Sequence, residues 1–324
     1  MQALVYTAPH EMELREISRP TPPQGEDLIE VKSVGICGSD MHGYLGHDER
    51  RPAPLVLGHE AAGVVASTNA RVTVNPLVTC GSCPACISGR TNLCPDRQII
   101  SMPPRAGAFS QYLSMPSRNL IPIPDDLSFD QAALAEPLAV CWHAVRLCAA
   151  LPDADLAAPT VVIGGGAIGF GCLLALQAFG ATDVSLIETN THRAAHLRGL
   201  TDAPICEASQ LREDGAALVV DCVGFGGTRE TACALTRPGG TICHIGLGDS
   251  AEGLDVRRIT LQEITFFGTY AYTDQDLLDT VEAMTQGRLG KLDWAETRPL
   301  SDGAEAFADI LAGRVLAPKV ILHP

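Results

Sequence analysis

Thr160-Val161-Val162-Ile163-Gly164-Gly165-Gly166-Ala167-Ile168-Gly169 sets the architecture of the second half of this chain. A short run rich in β-branched residues reads as a buried strand. It enters a glycine turn that opens an apolar helical segment reaching Phe179, with Gly180 where a helix C-cap is expected. Glycine-rich turns are common, so the Gly164-x-Gly166-x-x-Gly169 spacing alone is weak. Its context is specific: a strand precedes it, a helix follows, and Glu188 closes the next apolar run 19 residues beyond Gly169. Such glycines let the backbone approach a pyrophosphate whose charge faces the helix N-terminus, while a carboxylate at the next strand end accepts ribose hydroxyls. That carboxylate repels a 2′-phosphate. The pattern therefore predicts NAD rather than NADP, held by Gly164, Gly166, Ala167, Ile168, Gly169 and Glu188, with Arg193 helping at the ribose.

Further apolar runs at 184–187, 217–222, 241–245 and 264–267 alternate with helical segments, the pattern of a parallel sheet covered on both faces. Residues 160–182 carry no charge, but six of them are glycine, and they read as a strand with its packed helix rather than a membrane span. Between Cys206 and Ala217 only about ten residues remain, near the lower limit of roughly 10–12 for a parallel crossover, so an abbreviated or irregular helix is expected there. Before residue 145 the chain is β-rich instead. Leu28-Ile29-Glu30-Val31-Lys32-Ser33-Val34 alternates like a half-buried strand, and Ser67-Thr68-Asn69-Ala70 reads as a tight hairpin between two apolar runs. The tail carries an amphipathic helix with Leu277, Leu278, Val281 and Met284 as its apolar face, then a strand, Pro318-Lys319-Val320-Ile321-Leu322, able to return to the first unit.

Cys80, Cys83, Cys86 and Cys94 follow a C-x2-C-x2-C-x7-C spacing inside a Gly/Pro/Ser-rich loop. Four thiolates with no open position form a structural zinc arrangement; an iron–sulfur cluster uses the same ligands, and disulfides belong to short secreted chains. The 324-residue chain is 46% hydrophobic and 19% charged, ordinary for a globular protein long enough for two domains. Its net charge of −15 argues against nucleic acid and anionic membrane surfaces as partners. Of twelve cysteines, seven lie outside the four-cysteine loop and Cys37, most of these in apolar contexts, and with the lack of a basic, then apolar, N-terminal segment they predict a cytoplasmic protein.

Three polar segments offer the ligand types of an open catalytic zinc site: Cys37 in Gly35-Ile36-Cys37-Gly38-Ser39-Asp40-Met41-His42, His59 and Glu60 after Gly58, and Glu136 before Pro137 at the start of an apolar helix. Singly each has an ordinary structural reading; the ordered set does not. These segments, the four-cysteine loop, the glycine fingerprint, His244-Ile245-Gly246-Leu247 and Lys319-Val320-Ile321 together resemble the zinc-containing medium-chain alcohol and polyol dehydrogenases, especially their sorbitol dehydrogenase-like branch. The resemblance runs over essentially the whole length. It implies an α/β protein: a GroES-like β-rich catalytic domain from residues 1–145 and 273–324, with a Rossmann doubly wound parallel sheet inserted at 146–272.

The resemblance also implies site roles and two zinc ions per chain. Cys37 and His59 are similar to fixed ligands of catalytic zinc and Glu60 and Glu136 to its two carboxylates, with the choice of direct ligand left open. Ser39 resembles the hydroxyl that takes the substrate proton and His42 a later member of the relay. Val223, Ile245 and the Thr269-Tyr270 region are similar to segments around the nicotinamide. The expected reaction is hydride transfer between NAD and a secondary alcohol of a polyol or sugar alcohol, in a homodimer or homotetramer. A threonine dehydrogenase-like or simple diol activity is the alternative within enzymes, and a non-catalytic NAD-binding protein is the remote one. Two departures stand out: the segment between Glu60 and Cys80 is about nine residues short of the family pattern, and the crossover at 207–216 is trimmed. Arg50-Arg51 is a candidate contact for a substrate carboxylate or phosphate, or else a solvated pair; Tyr44 and Phe109 are candidate pocket walls.

Overall fold

The computed structural model describes residues 1–249 and 252–324. Six parallel strands form one sheet, in the order Ile205–Cys206, Val184–Ile187, Thr160–Ile163, Ala216–Asp221, Thr236–His244 and Thr265–Gly268. The chain starts at Thr160–Ile163, winds outward on one side, then crosses to Ala216–Asp221 on the other. The carboxyl end of Thr160–Ile163 is therefore the topological switch point, where open α/β sheets leave a crevice. The short crossover before Ala216 is a single 3-10 turn, Ala208–Gln210, because ten residues cannot hold both loops and a regular helix.

A second sheet runs Leu120–Pro122, Arg71–Val74, Glu60–Val65, Glu26–Gly35, Lys319–His323 and Ala295–Pro299, with Tyr112–Pro116 also paired to Glu26–Gly35. The tail strand Lys319–His323 lies antiparallel to Glu26–Gly35, matching Ile321 to Gly35 and Leu322 to Val34. Its neighbour on the other side, Ala295–Pro299, runs parallel to it. Gly35 faces Glu60 in the adjoining register, and a Cβ there would lie 2.0 Å from Glu60 Oε2. Only hydrogen fits beside that carboxylate.

The helix Asp274–Thr285 is capped by Thr273, whose hydroxyl accepts from Asp276 N at 3.1 Å. Leu277, Val281 and Met284 are buried in the same core as Leu173 and Val220. Leu278, expected on that face, is 46% exposed: it follows Leu277 by one residue, about 100° round the helix, at the edge of the stripe. Tyr44 and Phe109, expected at a pocket, are instead core residues. Tyr44 packs on Phe307 with ring centroids 5.1 Å apart, and Phe109 has no exposure.

Asp276 also receives His143 Nδ1 at 2.7 Å and Arg146 Nε at 2.5 Å, tying the Asp274–Thr285 helix to Ala135–Ala149. Burial works against its charge, but His143, Arg146 and Thr273 outweigh it and hold the carboxyl well below the usual carboxylate range. A depressed pKa contributes stability that is present above the unfolded value of about 4 and lost as pH falls through the folded value. Asp276→Ala is expected to destabilise the protein by roughly 3 kcal/mol at neutral pH. The difference from the parent should shrink in acid, and urea unfolding at several pH values checks both statements.

Candidate active site

Cys37 ends the turn after Glu26–Gly35 and caps the short helix Gly38–Tyr44: its backbone N–H donates to Asp40 Oδ2 at 3.0 Å, and its sulfur accepts from Ser39 Oγ at 3.4 Å. Gly58, at φ +91°, turns the chain so that His59 and Glu60 follow side by side. His59 Nδ1 lies 3.4 Å from both Asp40 Oδ1 and Ser101 Oγ. Asp40, fully buried, also accepts from Gly58 N at 3.2 Å, so one carboxylate orients two segments of the site. Glu60 has no exposure, and its Oε1 accepts from Lys319 Nζ at 2.6 Å. Lys319 Nζ also donates to Ile36 O at 2.9 Å.

The ligand atoms of Cys37, His59 and Glu60 lie within 4.8 Å of one another. Glu60 Oε2 is buried with no hydrogen-bond partner, and sulfur, imidazole nitrogen and carboxylate oxygen together are a zinc donor set. The residues fit such an ion. The electrostatics agree: burial disfavours a charged His59, yet Asp40 and Cys37 hold its pKa well above the usual imidazole value, so the cluster attracts positive charge. Glu136 stands apart from this trio and accepts from Tyr272 Oη at 3.0 Å. Burial pushes its carboxyl up to about 7 against the pull of His59, with the charge of Glu60 adding to the rise.

Ser39 Oγ, beside the Cys37 sulfur, accepts from Arg51 Nη2 at 3.3 Å. His42 lies one turn along the same helix, partly buried, and its ring bonds to no described residue. Arg51 is only 3% exposed, whereas Arg50 is mostly solvated. Sequence reading missed the parts played by Asp40, Lys319, Tyr272 and Arg51. A lysine inside the apolar strand Lys319-Val320-Ile321-Leu322 was the one local signal available, since a buried ammonium requires a partner.

Across the cleft, Thr160–Ile163 ends at Gly164, at φ +104°, and a Cβ on Gly169 would lie 1.6 Å from Gly164 O. Gly166 caps the helix Ala167–Ala178 without a side-chain bond and faces open space, leaving first-turn N–H groups for an anion. Glu188 accepts from Gly165 N at 3.2 Å and Asn190 N at 2.7 Å, and Arg193 Nη1 lies 3.6 Å away. A cleft of about 520 Å³ is lined on one side by residues 164–169, Glu188, Arg193 and Val223, and on the other by Cys37, Glu60 and Lys319. Ile245 and Thr269 sit at the carboxyl ends of neighbouring strands and do not line it. The glycine cradle, the exposed helix N-terminus and the carboxylate at the strand end fit a dinucleotide.

Cys80, Cys83, Cys86 and Cys94 are all free thiols with sulfurs within 4.8 Å of one another. Backbone N–H groups point at three of them: Cys80 N to Cys94 Sγ at 3.4 Å, Cys83 N to Cys80 Sγ at 3.3 Å, and Cys86 N to Cys83 Sγ at 3.4 Å. Those donors stabilise thiolates, and the N–H groups of Ser82 and Cys83 bring Cys80 down to about 6. The lobe is tied to the active site. Asn92 Nδ2 donates to Tyr270 O at 2.7 Å and Asp274 N to Thr91 Oγ1 at 3.0 Å, bracketing the segment that carries Tyr272.

A family model described as the GroES-like domain of alcohol dehydrogenase matches residues 23–125, and one described as zinc-binding dehydrogenase matches residues 167–286. L-galactonate-5-dehydrogenase of Escherichia coli K12 is 32% identical over 342 residues, covering 99% of this chain and 98% of that protein. Sorbitol dehydrogenase of Bacillus subtilis is 33% identical over 297 residues, covering 85% and 83%. A solved Escherichia coli oxidoreductase of unknown specificity superposes with a TM-score of 0.89 at 27% identity, covering 99% of this chain and 98% of that one.

Cys80→Ser is expected to remove about one transition-metal ion per chain, measured by elemental analysis, and to lower the thermal midpoint by several degrees. Tyr270 and Tyr272 share the affected segment, so the substitution should also change the near-ultraviolet circular dichroism.

Proposed function

The chain belongs to the zinc-containing medium-chain alcohol and polyol dehydrogenase family, and from that premise we propose that it passes hydride between NAD and a secondary hydroxyl of a polyol. The observation that carries this reading is a cleft that has Cys37 and Glu60 of the Cys37–His59–Glu60 cluster at one wall and the glycine cradle at the other. Relatives named sorbitol dehydrogenase, L-galactonate-5-dehydrogenase and L-idonate 5-dehydrogenase support a polyol or sugar-acid substrate over threonine or a simple diol. We assign the catalytic unit to residues 1–145 with 273–324 and the cofactor unit to 146–272, with the helix Asp274–Thr285 packing into the core of the cofactor unit.

When bound, zinc supplies Lewis acidity that makes an alcohol proton easier to lose near neutral pH, and NAD supplies the hydride acceptor. Cys37, His59 and Glu60 are the assigned catalytic ligands, with Glu136 as the second carboxylate of the site, and Cys80, Cys83, Cys86 and Cys94 hold a structural ion. Asp40 fixes the ring of His59 through Nδ1 and leaves Nε2 for the metal. Ser39 Oγ takes the substrate proton, and the Arg51 guanidinium holds that hydroxyl next to the Cys37 sulfur. His42 lies on the path of the proton to solvent. First-turn N–H groups after Gly166 receive the pyrophosphate, and Glu188 receives the ribose hydroxyls with Arg193 beside it. Val223, which lines the cleft, is assigned to the nicotinamide end, whereas Ile245 and Thr269 follow neighbouring strands outside that lining. A small-molecule substrate, a homodimer or homotetramer and a cytoplasmic location complete the reading, and the charge of −15 supports neither nucleic acid nor an anionic membrane as a partner.

Cys37→Ser should lower turnover by several orders of magnitude while the far-ultraviolet circular dichroism stays unchanged; retained turnover refutes the ligand assignment. Glu188→Ser should reduce the preference for NAD over NADP by about tenfold or more, the equivalent of one lost hydrogen-bonded discrimination of about 1.4 kcal/mol. Reduced-cofactor absorbance with a panel of alditols reads both.

A further inference from the structure

The segment 312–318 joins the helix Gly303–Leu311 to the strand Lys319–His323. Val315, Ala317, Pro318 and Lys319 line the cleft together with Glu188 and Arg193 of the cofactor unit. Among the described residues, one side-chain hydrogen bond reaches the backbone of 315–318: Arg193 Nη2 donates to Val315 O at 3.2 Å. The Val315 side chain is buried in the same core as Tyr44 and Phe307. A guanidinium of the cofactor unit therefore holds, across the cleft, a stretch of backbone anchored in the catalytic unit.

Arg193 stands on the helix Thr191–Leu197, and its guanidinium carries five N–H donors in one rigid plane. Nη2 is taken by Val315 O, Nη1 lies 3.6 Å from Glu188 Oε2, and Nε is buried without a partner. Donors thus remain beside the carboxylate assigned to the adenosine ribose. A ribose oxygen that accepts from one of them fixes the plane, and with it the aim of Nη2. At the other end of the stretch, Lys319 Nζ donates to Glu60 Oε1 at 2.6 Å and to Ile36 O at 2.9 Å, while Ile36 N donates to Val320 O at 2.9 Å. Only Leu316-Ala317-Pro318 lies between Val315 and Lys319, and the proline ring fixes one of its dihedrals. So short a connection has little slack, and a shift at Val315 is passed on to Lys319.

We infer that Arg193 is a positioning residue for the reaction centre: its bond to Val315 O holds the stretch that delivers Lys319 to Glu60, so a nucleotide ribose seated at Glu188 tightens the hold of Cys37, His59 and Glu60 on their ion. This rests on the zinc and NAD assignments proposed above and adds a coupling between them. The coupling is reciprocal, so the loaded metal site also favours the nucleotide. A residue that served only the ribose would leave the metal untouched.

The test follows release of zinc from the loaded protein to a coloured chelator, with and without AMP. AMP carries the adenosine ribose but lacks the nicotinamide half that could shield the ion directly. The release phase missing from Cys37→Ser belongs to the catalytic ion. Saturating AMP should slow that phase about fivefold or more in the parent. In Arg193→Gln the ratio at saturating AMP should fall to near one, and Arg193→Lys should behave alike, because a single ammonium cannot serve Val315 O and the ribose together. Two glycines inserted after the exposed Leu316 keep Arg193 and give the connection slack, and they should also abolish the slowing. An unchanged release rate in the parent with AMP bound overturns the inference and leaves both site assignments in place. So does weaker AMP binding by the Arg193 variants with an undiminished ratio at saturation, which reduces Arg193 to a ribose contact. No AMP binding by the parent, or no release phase lost in Cys37→Ser, overturns the site assignments and this coupling with them.

Discussion

The buried ion pair between Glu60 and Lys319 is the contact on which the reaction centre depends. Glu60 is wholly inaccessible and Lys319 nearly so, and a carboxylate in such surroundings is stable only with a partner of opposite charge. Lys319 is delivered by strand register: Ile321 and Leu322 lie opposite Gly35 and Val34, which sets the ammonium between Ile36 O and Glu60 Oε1. Burial works against its charge, yet Glu60 and Cys37 hold its pKa above the ordinary lysine value. Such pairs are poor sources of net stability, because desolvation cancels most of the attraction, whereas removing one partner costs roughly 3–5 kcal/mol. The pair makes sense as a device for position. It occupies one oxygen of Glu60 and leaves the other, Oε2, buried beside Gly35 with no hydrogen-bond partner.

Local pattern made much of the architecture legible. The switch-point strand, its glycine turn and the following helix lie where Thr160–Gly169 predicts them, and the hairpin around 67–70 joins Glu60–Val65 to Arg71–Val74. The four cysteines converge because their spacers are short and their N–H groups turn toward sulfur. Each of these signals is contained within a few residues of the chain. What escaped the sequence depends on partners far apart along it. Arg51 reads as half of a solvated pair and proves buried because Asp48 and Ser39 enclose its charge. Tyr44 and Phe109 carry apolar bulk without saying whether it faces a pocket, and Phe307 of the distant helix Gly303–Leu311 claims both. The link from Tyr272 to Glu136 spans 136 residues and has no local trace.

The four-cysteine lobe and the reaction centre, separate in sequence, share the stretch from Tyr270 to Asp274. Asn92 holds its carbonyl, Thr91 receives its N–H, Asn75 binds the Asp274 carboxylate at 2.9 Å, and Tyr272 projects onto Glu136. A loop of short polar and turn residues would lose considerable conformational entropy in holding that stretch. Closing four thiolates around one ion limits the freedom of the loop in advance. The lobe thereby gives Glu136 a fixed neighbour in Tyr272.

Lys319 and Glu60 are separated by 259 residues, with the whole six-stranded parallel sheet lying between them in the chain. Closing a contact of that range carries a loop entropy that collapse of the intervening segment reduces. Until then Glu60 stays hydrated and unpaired, and the second sheet lacks the strand beside Glu26–Gly35. A chain still on the ribosome holds Cys37, His59 and Glu60 long before it holds the lysine that settles them. The three proposed ligands, close together in the first fifth of the chain, are thus settled by a residue from its far end.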